Sequence, residues 1–346
     1  GTIYYHGPGL TPGTTYYWGV ETSDENETNI SVVNSFSAIN TYQGGQIDTG
    51  KVISIITNSY PEEVLAKDID NDGDLDFFSG SRNFFVWNEN DGEENFTSHN
   101  VETSAAYTNS IQAMDFDHDG DCDFLVAASA ELAWYENDGA ENFTSNIIDG
   151  SINAENAFPE DFDGDGKMDV TAADNDRIVW YHNEGMNEFE LFVIDSISGT
   201  WHMNSDDVDS DGDIDILAVF LDENKTIWYE NNGSEIFTPH LLTCTVEWPS
   251  GIYSADIDSD NDVDLISVSN AYHLVVWYEN DGNQNFTAHH ISVTYSYAVY
   301  PADLDGDDDT DLIVVTMRYD NQNELIWLEN DGSGNFTSNL INDNTP

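Results

Sequence analysis

Positive charge is almost absent from this 346-residue chain. It contains 7 Lys and Arg residues against 68 Asp and Glu residues, which gives a formal net charge of −61. Nucleic acids and anionic membrane surfaces are bound through clusters of Lys and Arg, so the composition disfavours both as partners. The acidic excess also points to a salty or calcium-rich setting, and we expect an extracellular or cell-surface protein.

Cysteine and long apolar runs are scarce as well. The two cysteines, Cys122 and Cys244, lie two repeat units apart, so no disulfide framework is expected. Cys122 is instead predicted to be a small buried hydrophobe. No apolar run approaches the ~18 residues of a membrane span, which argues against membrane insertion. No secretory signal is visible and the chain begins at Gly1, which suggests a processed or excised piece of a longer protein.

Recognisable catalytic motifs are missing too. The sequence has no G-x-S-x-G, no H-E-x-x-H and no phosphate-cradling glycine loop. Its nine histidines are scattered, and His202, beside Trp201, is the best single candidate for a general base. The sequence therefore favours a protein that is not an enzyme.

One acidic nonapeptide is abundant. It begins six times, at spacings of 47, 46, 46, 49 and 47 residues, and the copies hold 30 of the 68 acidic residues. Such a regular spacing predicts a repeat architecture. The copies are DIDNDGDLD (68–76), DFDHDGDCD (115–123), DFDGDGKMD (161–169), DVDSDGDID (207–215), DIDSDNDVD (256–264) and DLDGDDDTD (303–311).

A second motif repeats in phase with the first. It runs from a Trp through an Asn-Asp-Gly-like turn to a Phe, as in VWYENDGNQNFT (276–287). Each unit then holds four short runs rich in Val, Ile, Tyr, Phe and Trp, which predict four strands with a tight hairpin turn. Four-stranded units of this length predict an all-β propeller, in which each blade buries its apolar surface against its neighbours.

The number of blades is left open between six and seven. Six clear repeats occupy residues 63–341, and a further strand-like run, KVISIIT (51–57), precedes them.

The nonapeptide has the chemistry of a calcium site. Acids stand at positions 1, 3, 5 and 9, and position 6 is usually glycine, which permits a sharp turn. Converging hard oxygens suit Ca²⁺, while the absence of Cys and His at these positions argues against zinc or copper. Bound cations would also relieve the repulsion between the carboxylates. Six near-identical sites indicate a structural role, with about one Ca²⁺ per blade.

The pattern D-x-D-x-D-G-x-x-D between propeller strands resembles the FG-GAP/VCBS repeat family, which includes integrin α-subunit propellers and many secreted microbial proteins. The resemblance covers roughly residues 50–341 and implies a calcium-stabilised propeller. It implies ligation through the carboxylates at positions 1, 3, 5 and 9 and the carbonyl at position 7. These residues are Asp68, Asp70, Asp72, Asp74 and Asp76; Asp115, Asp117, Asp119, Asp121 and Asp123; Asp161, Asp163, Asp165, Lys167 and Asp169; Asp207, Asp209, Asp211, Asp213 and Asp215; Asp256, Asp258, Asp260, Asp262 and Asp264; and Asp303, Asp305, Asp307, Asp309 and Asp311.

Two copies depart from the pattern at position 6, where they carry Asn261 and Asp308. A residue there must adopt an unusual backbone angle, which Asn and Asp tolerate better than most. We expect these two sites to be weaker. Lys167 is expected to contribute only its carbonyl and to lower the local negative charge.

The first 45 residues differ from the repeats. The stretch GLTPGTTYYWGVETSD followed by VVNSFSAI resembles the last strands of a fibronectin type III domain. We therefore expect a fibronectin type III-like C-terminal portion at 1–40, a linker at 41–50 and the propeller at 51–346.

Aromatic residues fall into two groups. The Trp series recurs once per blade, and core packing is the expected role of Trp87, Trp134, Trp180, Trp228, Trp277 and Trp327. Other aromatics stand between the fourth strand of one blade and the first of the next, on the face opposite the metal loops. They could stack on sugars or anchor a protein partner, and they are Tyr60, Tyr107, Trp201, His202, Trp248, Tyr253, Tyr295 and Tyr297.

Glycosylation sequons are numerous, and four of them are the Asn-Phe-Thr of the repeat itself. The candidate sites are Asn26, Asn29, Asn95, Asn142, Asn224, Asn232, Asn285 and Asn335.

Three functions are open at this point. The first is a secreted, calcium-stabilised, non-catalytic module that binds an extracellular glycan or protein. The second is an architectural subunit of an extracellular filament or surface layer, which would bind copies of itself. The third is an accessory or catalytic domain of a polysaccharide-degrading enzyme. A lyase acting on uronic acids must neutralise a carboxylate, and the seven scattered cations make that reading poor.

Overall fold

The structure is a computed structural model. It describes strands at residues 2–5, 15–23, 28–37 and 51–55, and then residues 61–341 apart from short gaps. The gaps are 82–83, 93–94, 102–105, 141, 175, 235, 243–246, 270, 272 and 318–323. The regular elements of the described residues are strands, and none of these residues belongs to a helix that could cross a membrane.

The fold is an all-β propeller, as the sequence predicts, and its six four-stranded blades are the six clear repeats of the sequence. Each blade places its strands side by side in chain order. Four strands described below precede the blades, so the blade strands are numbered from β5. Blade 1 holds β5 (Pro61–Lys67), β6 (Asp76–Ser81), β7 (Phe84–Asn90) and β8 (Phe96–Val101). Blade 2 holds β9 (Ala106–Met114), β10 (Asp123–Ser129), β11 (Glu131–Asn137) and β12 (Phe143–Asp149). Blade 3 holds β13 (Asn156–Glu160), β14 (Asp169–Ala173), β15 (Ile178–Gly185) and β16 (Glu188–Asp195).

The remaining blades have the same plan. Blade 4 holds β17 (Thr200–Asp206), β18 (Asp215–Phe220), β19 (Lys225–Asn231) and β20 (Phe237–Leu241). Blade 5 holds β21 (Pro249–Ala255), β22 (Asp264–Ser269), β23 (Leu274–Asn280) and β24 (Phe286–Ser292). Blade 6 holds β25 (Ser296–Ala302), β26 (Asp311–Thr316), β27 (Leu325–Asn330) and β28 (Phe336–Leu340).

A further four-stranded sheet precedes the blades. Its strands are β1 (Thr2–Tyr5), β2 (Thr15–Ser23), β3 (Thr28–Ser37) and β4 (Lys51–Ile55), in the order β3-β2-β1-β4. Residues 51–55 of the run at 51–57 form β4, which pairs antiparallel with β1. The side chains of these strands lie outside the described residues. The fibronectin type III-like interpretation of 1–40 and the proposed domain bounds therefore stay predictions.

Burial along a blade explains the composition of its strands. The second strand is buried along its whole length in blades 3, 4 and 5, so β18 (DILAVF) and β22 (DLISVS) are almost entirely apolar or small. The fourth strand alternates, with every side chain of β20 and β28 partly or fully exposed. A strand buried on both faces needs a continuous apolar run, whereas an outer strand needs only one apolar face.

The chain divides into two compact units. The first comprises residues 1–159, 170–174 and 181–192, and the second comprises 160–169, 175–180 and 193–346. In the first unit, blades 1 and 2 share a buried cluster in which the rings of Phe78 and Phe124 stack with centroids 4.0 Å apart. Cys122 is a free, buried member of the same cluster, as predicted.

The second unit repeats this arrangement twice. One cluster joins blades 4 and 5 through residues such as Val219, Trp228 and Ile252. Another joins blades 5 and 6 through residues such as Val268, Trp277 and Val314. Within each unit, therefore, a blade buries its apolar faces against the next blade, as the repeat pattern predicts.

Candidate metal loops and aromatic surface

The six acidic nonapeptides connect the first and second strands of the six blades. Hydrogen bonds within each loop fold it back on itself. The backbone N–H of position 6 donates to the first-position Oδ2, as from Gly73 to Asp68 at 3.0 Å. The N–H of position 7 donates to the fifth-position Oδ1, as from Asp74 to Asp72 at 2.9 Å. The same two bonds recur in the other five loops.

Carboxylate oxygens converge inside these loops. Sets of three lie with one oxygen each within 4.8 Å of one another: Asp68, Asp70 and Asp76; Asp115, Asp117 and Asp123; Asp207, Asp209 and Asp211; and Asp256, Asp258 and Asp260. Five loops also hold a buried carboxylate oxygen that accepts no hydrogen bond, the Oδ1 atoms of Asp68, Asp115, Asp209, Asp258 and Asp305. Buried oxygens without a donor are costly unless a cation meets them, so the residues fit Ca²⁺.

Burial and mutual repulsion act on the third-position carboxyls. Burial raises the pKa of Asp70, Asp117, Asp209 and Asp258, and the neighbouring loop carboxylates raise it further. In the sixth loop the same two causes raise the pKa of Asp305 to about 6. A nearby cation would reverse this shift by favouring the charged form.

The ninth-position Asp is the most buried acid of each loop. Five of the six, Asp76, Asp123, Asp169, Asp215 and Asp264, are wholly buried at the start of the second strand, and Asp311 is nearly so. In five loops its Oδ2 accepts the N–H of position 2 at 2.9–3.2 Å. In the same loops its Oδ1 accepts a backbone N–H from the end of the third strand at 2.7 Å. This carboxylate therefore ties the loop to the blade as well as closing it.

Burial sets the ionisation of this group. It raises the pKa of Asp76 and Asp264 to about 6 and that of Asp123 and Asp215 to about 7, against the lowering effect of the backbone donors. A cation in the loop would favour the ionised form again.

Five members of the Trp series are buried, which confirms their predicted place in the core, and Trp327 of blade 6 is half-buried. The structure adds a polar role that sequence reasoning missed. In blade 3 the indole N–H of Trp180 donates to Oδ2 of Asp169 at 3.0 Å. In four other blades the Trp lowers the pKa of the ninth-position carboxyl, against the larger effect of burial, through the pairs Trp87–Asp76, Trp228–Asp215, Trp277–Asp264 and Trp327–Asp311. The indole N–H groups of Trp87, Trp134, Trp228, Trp277 and Trp327 are buried without a hydrogen-bond partner, so among these six residues the direct bond to the loop carboxylate is made by Trp180 alone.

A His and a Glu hold the Trp ring in three blades. The imidazoles of His99, His240 and His289 stack on Trp87, Trp228 and Trp277 with centroids 4.5 Å apart. Their Nε2 atoms lie 2.6–2.7 Å from carboxylate oxygens of Glu89, Glu230 and Glu279. The alternating outer strand, which reads F-T-x-H, brings the imidazole opposite the Trp.

A buried Asn at the end of the third strand links successive loops, and sequence reasoning missed this as well. Asn231, Asn280 and Asn330 each donate to the position-8 carbonyl of their own blade's loop. Each also donates to the position-2 carbonyl of the preceding blade's loop, at 2.7–3.2 Å. In the sequence this Asn always stands just before the hairpin turn. The turn is enough to explain an Asn there, so the link between loops is not predicted.

Position 7 carries Asp in five loops, and its side chain turns toward the hairpin of its own blade. A Cβ on Gly92, Gly139, Gly233, Gly282 or Gly332 would collide with that carboxylate. The use of the position-7 carbonyl as a ligand stays a prediction. In the third loop the ammonium of Lys167 contacts the Asp165 carboxylate, which offsets part of the loop's negative charge as predicted.

The two exceptions at position 6 adopt the expected backbone. Asn261 has φ 71° and Asp308 has φ 72°, in the left-handed region that glycine occupies in the other loops. The weaker affinity expected of these two sites stays a prediction.

The predicted ligand-binding aromatics are distributed differently from the loop placement that the sequence suggested. That placement is wrong for Trp201 and His202, which lie in β17, and for Tyr253 and Tyr297, which lie in β21 and β25. The first strands of these blades begin earlier than predicted, because the polar residues in these segments had indicated a loop. Trp248 and Tyr295 do precede their strands. Tyr107 lies in β9 with its side chain outside the described residues, as is all of Tyr60.

His202 has a structural position. Its Nδ1 accepts the backbone N–H of Ile252 at 3.3 Å, and its ring lies 5.0 Å from that of Tyr253. Burial lowers the pKa of His202 to about 4, so the ring is a neutral acceptor at physiological pH. Holding β17 to β21 accounts for this residue without a role as a base.

The sequons of the repeat have a structural explanation. The side-chain amides of Asn95, Asn142, Asn285 and Asn335 donate to Asp91, Asp138, Asp281 and Asp331 within the hairpin turns. Asn224 and Asn232 are exposed, and their Oδ1 atoms accept backbone N–H groups. Asn29 lies in β3 with its side chain undescribed, and Asn26 lies outside the described residues. Glycosylation at any of these sites stays a prediction.

Comparison with known proteins agrees with this architecture. The chain matches the FG-GAP-like repeat at residues 68–126, 115–171, 207–267 and 256–314, and it therefore belongs to the FG-GAP-like repeat family. No curated protein matches the chain.

Several solved structures share the fold at low sequence identity. A lectin from Agrocybe aegerita, described as recognising non-reducing terminal N-acetylglucosamine, is similar with a TM-score of 0.64 and 17% identity over 99% of this chain and 91% of the lectin. BBS1N, solved in complex with ARL6DN, has a TM-score of 0.58 and 11% identity over 81% of this chain and 83% of its own. A functionally unknown protein from Desulfotomaculum acetoxidans has a TM-score of 0.52 and 10% identity over 75% and 76%.

Proposed function

We propose that this protein is a secreted, calcium-stabilised, non-catalytic module that binds an extracellular glycan. The observation that carries the proposal is the pair of exposed Trp residues, Trp201 and Trp248, with 51% and 58% of their surface accessible. Both lie at the start of a blade's first strand, at the end away from its acidic loop. Exposed aromatic rings of this kind are typical of surfaces that stack on sugars or anchor a partner.

Calcium would stabilise the fold rather than contact the ligand. The carboxylates at positions 1, 3, 5 and 9 and the position-7 carbonyl would hold one ion in each loop. Bound Ca²⁺ would supply the positive charge that the convergent, donor-free oxygens lack. The loops in turn hold the buried Asn residues, as where Asn280 reaches the preceding loop, so cation binding and blade packing are coupled.

The solved structures with a similar fold favour a glycan over a protein as the first partner to test. The lectin is the neighbour that covers this chain most completely among those described above, and it recognises a terminal N-acetylglucosamine. BBS1N shows that a similar propeller can also bind a protein. An extracellular location is consistent with millimolar calcium and with the acidic composition, and it remains part of the proposal.

A glycan array in millimolar calcium, with a duplicate in chelator, tests the proposal. We expect binding to a defined sugar in calcium, with no release of product from that sugar on prolonged incubation. Product release would favour the enzyme alternative. A blank array from a protein that circular dichroism shows to be folded would overturn glycan binding. Reproducible self-association at the same concentration would then favour the architectural alternative.

A further inference from the structure

Trp248 combines exposure with an unfavourable backbone conformation. Its φ is +56°, in the left-handed region that side chains other than glycine rarely adopt. Such a conformation is costly, and residues that adopt it cluster at functional sites. With 58% of its surface accessible, Trp248 gains little burial to offset this cost. Its indole ring is therefore held outward at a cost to the fold.

A neighbouring blade fixes Trp248 in this position. Its backbone N–H donates at 2.9 Å to Oδ1 of Asn224, in the turn between β18 and β19 of blade 4. Trp248 itself immediately precedes β21 of blade 5. The exposed Trp248 side chain and the exposed Asn224 amide thus both lie at the junction of the two blades, where the amide N–H groups can donate to a hydroxyl.

The next junction has the same construction. Tyr295 stands eight residues before Asp303, as Trp248 stands eight residues before Asp256. Its φ is also left-handed, at +64°. Its ring lies 4.6 Å from that of His273, which is in the turn between β22 and β23 of the preceding blade. An aromatic side chain thus stands at equivalent places in two successive blades, exposed in Trp248 and half-buried in Tyr295.

Charge at the first junction restricts the ligand. Exposed carboxylates of Asp222, Glu223 and Glu247 lie in the two segments that meet there. The ammonium of Lys225 lies 3.4 Å from the Glu223 carboxylate and offsets part of this charge. A sugar bearing carboxylate or sulfate would be repelled by these groups and by the net charge of −61. An uncharged pyranose can stack its apolar face on the indole and donate its hydroxyls to carboxylates.

We propose that the junctions of blades 4 and 5 and of blades 5 and 6 are binding sites for an uncharged pyranose, with Trp248 and Tyr295 as the stacking platforms. This inference rests on the proposed glycan-binding function and adds its location and ligand class.

The protein itself provides a suitable replacement residue. Gly199 occupies the equivalent place in blade 4, eight residues before Asp207, with φ +77°. Trp248→Gly and Tyr295→Gly therefore remove the platforms and also relieve the left-handed strain, so both variants should fold. Ile236→Ala is the matched control, because it removes an apolar side chain of similar exposure, 57%, from the hairpin end of blade 4, away from the junction.

The test applies the wild type and the three variants to one printed array of neutral, sialylated and sulfated glycans in millimolar calcium. We expect wild-type binding to neutral glycans only, a loss of about tenfold or more for Trp248→Gly, and a smaller loss for Tyr295→Gly. Ile236→Ala should bind as the wild type does. Melting curves confirm that each variant is folded.

The outcomes separate the inference from the function on which it rests. If the wild type binds neutral glycans and Trp248→Gly binds equally well, the junction sites are wrong and glycan binding stands. Binding to sialylated or sulfated glycans would overturn the ligand class. If the folded wild type binds nothing, the glycan-binding function itself fails.

Discussion

The side-chain amide of Asn280, on β23, donates to the backbone carbonyl of Val208, in the acidic loop of the preceding blade, at 3.2 Å. The same amide donates to the Val263 carbonyl in its own loop at 3.0 Å, while the backbone N–H of Asn280 donates to Asp264 at 2.7 Å. One buried residue thus connects two successive candidate calcium loops, so a change in the backbone of one loop would disturb the hydrogen bonds of the next blade.

Asn280→Ala should therefore destabilise the protein strongly. It leaves the carbonyls of Val208 and Val263 buried without these donors, and each such loss costs about 1–3 kcal/mol. Urea unfolding in saturating calcium measures the effect. Asn283→Ala is the control, because that side chain bonds only within an exposed turn and should change stability by less than about 0.5 kcal/mol. Equal effects of the two variants would contradict the linking role of Asn280.

Trp180→Phe should separate the two roles of the Trp series. Phenylalanine keeps an aromatic ring in the core but removes the N–H that donates to Asp169. A hydrogen bond to a charged acceptor contributes about 1.5–3 kcal/mol, so we expect a loss in that range plus a smaller packing loss. Trp201→Phe provides the comparison, because Trp201 is exposed and its replacement should leave the melting temperature unchanged. No difference between the two variants would mean that Trp180 acts through packing alone.

His202 should make the stability of the protein fall in mild acid. Burial lowers the pKa of His202 to about 4, below the ordinary value near 6.5, so the folded state favours the neutral ring. The corresponding stability is present above pH 6.5 and is lost as the pH falls toward 4. His202→Gln does not titrate, so the wild type should lose stability relative to this variant over that interval. Parallel melting temperatures from pH 7 to 4.5 would contradict the shift.

The sequence predicts the fold well because its signals are redundant. The spacing from Asp68 to Asp115, the Trp of each unit and the Asp-Gly turns all indicate the same blade, and each is read from consecutive residues. The acidic loops are predictable for the same reason, since the carboxylates that converge in loops such as Asp68–Asp76 lie within nine positions.

Other features of the site could not be predicted, chiefly those that depend on contacts between residues far apart in the chain. Nothing near Asn280 in the sequence indicates that it reaches Val208, 72 residues earlier. The strand limits around Trp201 also escape prediction, because β17 takes in polar residues such as Asn204 and Ser205 that are tolerated on its partly exposed face. The left-handed conformation of Trp248 has no sequence signal, since tryptophan is among the residues least expected there.

The measurement that tests the account most directly is the melting temperature of the protein in millimolar calcium and in excess chelator. A ligand held only by the folded state at about a thousand times its dissociation constant contributes ~4 kcal/mol per site. We therefore expect a fall of at least about 10 °C on chelation, restored by calcium and not by an equal concentration of magnesium. Asp258→Asn should reduce the calcium-dependent part, whereas Asp281→Asn, in an exposed turn, should not. Identical melting curves with and without calcium would contradict the calcium-stabilised propeller on which the proposed function rests.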